Sequence, residues 1–103
     1  MHLFLFEGLE KTIAALRAQD VPVYFTIDLD CLDPSVFPGT GTPEAGGVRF
    51  PELLDAIRTV CTAHVVGADI NELAPVLDAS GVSTATACKV LRELILAIHK
   101  NRF

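Results

Sequence analysis

Three aspartates, Asp28, Asp30 and Asp33, fall within six positions of the run TIDLDCLDPSVFPGTGTP, residues 26–43. Carboxylates at this density repel one another unless something positive sits among them. Asp28 and Asp30 are two apart, so on an extended strand both side chains project from one face, roughly 6–7 Å apart at Cα. A converging pair of this kind can share a proton, flank a sugar or bind a hard cation. The plainer alternative is an acidic turn built around Asp33 before Pro34. That reading suits a lone Asp-Pro better than an Asp-x-Asp placed directly after an apolar run.

The cation readings separate on spacing. An EF-hand loop needs Asp-x-Asp-x-Asp, then Gly, then Glu at position twelve. Here the third aspartate comes one place late and position twelve is Gly39. Phosphotransferases of the haloacid-dehalogenase type also open on Asp-x-Asp after a strand, but Leu32 stands where they carry Thr or Val, and no phosphate-binding lysine segment is evident. Cys31, Cys61 and Cys88 are odd in number and include no CxxC pair, against a disulfide framework or zinc site. They read as reduced, packed thiols, and nothing cationic flanks Cys31 to activate it. His64, before a strand, and His99, near the end of the chain, read as ordinary residues, and His2 has no ligand partner at i+4.

The elements that must position the aspartates follow from periodicity. Leu9, Ile13 and Leu16 predict a helix over about 7–19. VPVYFTID, residues 21–28, is apolar on both parities, the pattern of a strand covered on both faces in a parallel sheet. Three prolines and four glycines make residues 31–49 a long loop, and a loop of that length is usually functional. Pro51 suits a helix start, and Phe50, Leu53, Leu54, Ile57, Val60 and Cys61 form one stripe. HVVGADI, 64–70, reads as a second buried strand. A last helix, about 82–99, places Cys88, Leu91, Leu94, Ile95 and Ile98 on one face, with Ser80 or Ser83 to cap it. The order is α-β-loop-α-β-loop-α, an α/β layered fold with a parallel sheet. Asp28 and Asp30 then stand at the carboxyl end of a strand, where such sheets place their ligands.

Composition bounds the rest. One hundred and three residues, 50% hydrophobic and 20% charged, form one domain, 1–103, or a piece of one. A net charge of −5 excludes the usual basic nucleic-acid footprint, and no apolar run reaches the ~18 residues of a membrane span. The opening MHLFLFEGLE is too short and too acidic for a secretory signal, so a cytoplasmic location is expected. Two strands that both expect covered faces imply neighbours that the chain does not supply. It therefore looks like a fragment that associates with copies of itself or with a missing N-terminal portion.

The whole stretch TIDLDCLDPSVFPGTGTPEAGG resembles the signature of the ureohydrolases, the arginase and agmatinase family: Asp-x-Asp-x-x-Asp-Pro, then Pro-x-Thr-Gly-Thr-Pro and two glycines. VVGADINELAP, 65–75, resembles that family's Asp-x-x-Glu-x-x-Pro segment, and SGVSTATACKVLRELIL, 80–96, its terminal helix. The details DCLDP, PGTGTPEAGG and ELAP are more like agmatinase than arginase. The resemblance implies a three-layer α/β/α arginase-like fold of which this chain is a C-terminal portion. It also implies hydrolysis of a guanidino compound, agmatine to putrescine and urea, by a hydroxide bridging two Mn²⁺ ions. Asp28 and Asp30 are then metal ligands, which supplies the missing positive charge. Glu72 matches the glutamate that pairs with the substrate guanidinium, and Thr42 lies where the family's loop lines the pocket. Asp69 is expected to orient the strand end, Asp33 to shape the turn, and Glu44 and Arg49 to lie at the surface. The family's upstream His and Asp-x-His-x-Asp ligands are absent. The chain alone is thus expected to be inactive; the alternatives are a non-catalytic fragment or interaction module of the same fold, or another ureohydrolase (arginase, guanidinobutyrase or formimidoylglutamase).

Overall fold

The computed structural model describes residues 2–102, with side chains described from Gly8 onward. Helix α1 (His2–Gln19) leads through Asp20, in the left-handed region at φ 51°, into strand β1 (Pro22–Asp28). A short 3-10 turn, Leu29–Cys31, opens the long loop. Then come α2 (Phe50–Val60), β2 (His64–Asn71), a 3-10 turn at Pro75–Leu77 and α3 (Val82–Arg102). β1 and β2 pair in parallel, from Pro22 opposite His64 to Asp28 opposite Asn71. The register slips between Val23 and Tyr24, which leaves Val66 without a partner and turns Gly67 toward the Tyr24 side.

Helices cover one face of this sheet. Phe25 and Ile27 of β1, with Ala68 and Ile70 of β2, meet Leu53 and Ile57 of α2 and Ala87, Val90 and Leu94 of α3 in the main core. Ile13 of α1 joins Val60, Ala63 and Val65 in a second cluster under Val23 and Phe25. Each fully buried aliphatic side chain contributes about 1.5–3 kcal/mol of transfer free energy, so Ile27, Ile57 and Val90 hold the layers together. The described residues thus supply the sheet and one helical layer of an α/β/α arrangement.

Two expectations change here. The strands do not bury both faces within this chain: Tyr24 is 62% exposed, and Thr26 and Asp28 beside it on the strand are exposed too. The apolar parity of β1 is satisfied on the helical side only. The last helix also turns differently from its large-residue stripe. α3 buries Ser83, Ala87, Val90, Leu94 and Ala97, while Cys88, Leu91 and Ile95 face outward. Small side chains let the helix lie close to α2 and the sheet, and closeness decides which face is buried. Helix α1 also begins earlier than residue 7 and α3 runs on past residue 99.

The long loop is packed rather than loose. Leu32, Phe37 and Thr40 are fully or almost fully buried. A bridge joins its two ends: Val48 N–H donates to the Cys31 carbonyl at 2.8 Å, and Asp33 N–H to the Val48 carbonyl at 3.0 Å. Asp33 holds the same turn with its carboxylate, accepting from the Ser35 amide and hydroxyl and from the Gly46 and Gly47 amides. The Ser35 hydroxyl and amide, then the Gly46 amide, stabilise the charged form and lower its pKa to about 2. Asp33 is therefore a turn residue, as the Asp-Pro pattern suggests.

Candidate functional site

At the carboxyl end of β1 the extended chain stops at Asp28 itself. Its Oδ1 accepts the Asp30 amide at 3.0 Å, an Asx-type turn that winds Leu29–Cys31 into a 3-10 turn. Asp30 is therefore not on an extended strand two residues beyond Asp28, and the expected strand spacing of the pair does not apply. The local reason is that a short carboxylate reaches a backbone N–H two residues ahead more easily than the next ladder position. Leu29, with no exposed surface, pins the turn into the core.

The turn keeps the two carboxylates together at one end of the sheet. Thr42, arriving from the packed loop, donates its hydroxyl to Asp30 Oδ2 at 2.8 Å. Asp28 Oδ1 and Asp30 Oδ2 are thus engaged, and the second oxygen of each carboxylate takes no donor from the described residues. Those oxygens are hard donors and fit a hard divalent cation. Among the described residues no group of three or more His, Cys, Asp or Glu gathers as a metal cluster. Cys31 beside them is half-buried. Burial, and then the fields of Asp28 and Asp30, raise its pKa, which keeps the thiol protonated.

Glu72 follows Asn71, the register partner of Asp28, so both loops leave the sheet at the same end. It is exposed and adopts φ +83°, left-handed for a residue with a Cβ. Such a conformation costs of the order of 1 kcal/mol and collects at functional positions.

A polar network ties the strands just below. Asp69 Oδ1 accepts the Thr26 hydroxyl at 2.5 Å and the Asn71 amide at 2.5 Å, and Oδ2 accepts the Tyr24 hydroxyl at 2.9 Å. Asn71 also donates to Thr26 at 3.1 Å. Thr26, then Tyr24, lower the Asp69 pKa, while the bond to Asp69 raises that of Tyr24. Asp69 therefore orients the strand end. Tyr24, Thr26 and Asn71 are not foreseen by motif reading, although their exposed parity on paired strands would mark them once the register is known.

Also unforeseen is Asp78. Its carboxylate accepts from the Ser80 hydroxyl and amide and from the Ser83 hydroxyl and amide, which lowers its pKa to about 2. It organises the start of α3, while Ser80 accepts only the Val82 amide. The Asp-x-Ser spacing of DAS, ahead of a helix, is the signal that could have found it. Glu44 is exposed on the loop, and Arg49 is exposed with its amide capped by Glu52. His64 lies 3.6 Å from Asp20, far from the carboxylates in the sheet.

The sequence pattern of the Arginase family matches residues 5–97. An agmatinase of Bacillus anthracis is 46% identical over 99 residues, covering 93% of this chain and 34% of that protein. An agmatinase of Halalkalibacterium halodurans is 51% identical over 101 residues, again covering 93% and 34%. The structure of proclavaminate amidino hydrolase from Streptomyces clavuligerus superposes with a TM-score of 0.79 at 32% identity, covering 91% of this chain and 32% of that one. The chain spans about a third of the length of the relatives it matches.

Proposed function

Because this chain belongs to the arginase family, we propose that it is the C-terminal part of a ureohydrolase whose whole form hydrolyses agmatine to putrescine and urea. The observation that carries the reading is the pair Asp28 and Asp30 at the end of β1, with Asp30 held by Thr42, one register position from Glu72 at the end of β2. The agmatinases among the relatives favour agmatine over other guanidino compounds.

Asp28 and Asp30 hold metal in this reading, sharing it with donors from outside the chain. Two manganese ions there would supply water made nucleophilic at neutral pH and offset developing negative charge. The chain's own residues do the rest. Glu72 offers a planar carboxylate to the planar guanidinium, a bidentate match that sets the substrate's orientation. Its backbone is left-handed, directly after the ladder that Asn71 ends. Thr42 fixes the rotamer of Asp30 by its hydroxyl bond. The Asp69 network keeps β1 and β2 in register, so the distance between the Asp28 end and the Glu72 end does not drift.

The test is urea release in the protein that unites this chain with the rest of the fold. Agmatine should be hydrolysed in preference to arginine and 4-guanidinobutyrate. Asp28→Asn or Asp30→Asn should abolish release with loss of bound metal. Glu72→Gln should keep the metal and raise KM about tenfold or more, the scale of one charged hydrogen bond. Loss of metal from Glu72→Gln as readily as from Asp28→Asn would overturn the division of roles.

A further inference from the structure

Among the described residues Ser83 is the polar side chain buried most completely, with no exposed surface. It is far from the carboxylates in sequence, yet it touches the loop that reaches them. The Gly39 amide donates to Ser83 Oγ at 2.8 Å, and Ser83 Oγ donates onward to Asp78 Oδ2 at 2.6 Å. On its other side, the Gly39 carbonyl accepts the Ala74 amide at 2.7 Å. Gly39 is therefore held at both polar groups: by α3 through Ser83, and by the segment after Glu72 through Ala74. The contact is also steric. A Cβ on Gly39 would lie 2.7 Å from Ser83 Cβ and 2.8 Å from its Oγ, so the loop can approach this closely only as glycine. Thr40, next along, is 2% exposed. Two residues later the loop delivers Thr42 to Asp30.

We infer that Ser83 is a positioning residue for the strand-end site, setting where the 38–42 loop lies and thereby holding Thr42 on Asp30. The ionised Asp78 carboxylate fixes the direction of the bond. It accepts the Ser83 proton, so Oγ must turn its lone pair to the Gly39 amide. A helix cap would spend Oγ on an amide of its own first turn, whereas here it accepts from a segment 44 residues away. The catalytic consequence rests on the ureohydrolase reading; the geometry does not.

The first test therefore needs no activity. In the 103-residue chain, amide hydrogen exchange should show the Gly39 and Ala74 amides losing at least tenfold in protection in Ser83→Ala. The Ala85 amide, bonded to the Gly81 carbonyl in the first turn of α3, should stay within about twofold. Ser80→Ala, which leaves the Gly39 bond intact, should spare Gly39. Unchanged Gly39 protection, or equal losses at Gly39 and Ala85, would overturn the inference by making Ser83 a bystander or merely a cap. Should Ser83→Ala fail to fold, Ser83→Cys keeps the volume with a poor hydrogen-bonding group and carries the same expectations. In the whole enzyme, Ser83→Ala should lower kcat for urea release about tenfold. The double variant with Thr42→Val should fall no further than Thr42→Val alone, because one acts through the other. Losses that multiply would refute the route through Thr42. A whole protein that releases no urea would refute the ureohydrolase reading and leave the exchange result standing.

Discussion

Placing a methyl group at Gly47 should be among the most damaging small changes available to this loop. Its Cβ would sit 2.6 Å from the Asp33 nitrogen, 2.8 Å from Asp33 Cα and 2.8 Å from the Cys31 carbonyl oxygen. All three are backbone atoms, so no side chain can swing away. Relief requires the strand-end turn and the loop end to separate, and they are joined by the bonds from Val48 to Cys31 and from Asp33 to Val48. Overpacking costs about 1–3 kcal/mol, and each hydrogen bond weakened adds about 1 kcal/mol. Gly47→Ala should therefore destabilise by roughly 3 kcal/mol, or about 12–24 °C in Tm for a domain of this size. Gly41→Ala is the control: nothing lies within 4 Å of its added Cβ and its φ is not left-handed. Restricting the unfolded chain should there raise stability by about 0.4–1 kcal/mol. Gly46→Ala, at φ +86° in open space, should lose about 1–2 kcal/mol. Thermal unfolding followed by circular dichroism ranks the three. A Gly47→Ala protein melting within a few degrees of the unsubstituted one, or below which Gly46→Ala falls, would refute the steric reasoning.

Other outcomes follow from the same contacts. Calorimetric titration of the chain alone with Mn²⁺ should show weak binding, because two carboxylates without imidazole partners make an incomplete shell; tight binding of two ions per chain would contradict this. Asp78→Asn should flatten the acid limb of the stability curve: the native carboxylate has a pKa of about 2, below the unfolded value near 4, so its stabilisation is full above that value and is lost as pH falls toward 2. Acid unfolding profiles of the two proteins that superpose would contradict that role. The chain should also self-associate, since Leu91, Ile95 and Leu96 are exposed on α3 and the two-stranded sheet has open edges. Light scattering that finds a stable monomer melting in one sharp step would contradict it.

The family and the order of the elements were legible in the sequence. Asp28, Asp30, Thr42 and Glu72 stand in ordered motifs whose residue types and spacings carry the family resemblance, and the element order follows from apolar periods and from prolines and glycines. These signals are local: a strand, a helix stripe or a turn residue reports on its own few neighbours. Even so, the Asp28 and Asp30 pair shows the limit of extrapolating a period: the strand ends at Asp28 where its apolar run ends, but the Asp28 side chain takes the Asp30 amide and winds the second carboxylate into a 3-10 turn.

What only the tertiary structure decided lies between segments 43 to 45 residues apart: Thr26 on Asp69, Tyr24 on Asp69, and Gly39 on Ser83. The string PGTGTPEAGG does not say which glycine another backbone will press against. Nor does the last helix say that Ser83 and Ala87, rather than Leu91 and Ile95, will meet the core. Close approach is a property of two surfaces brought together, and neither sequence segment contains the other's shape.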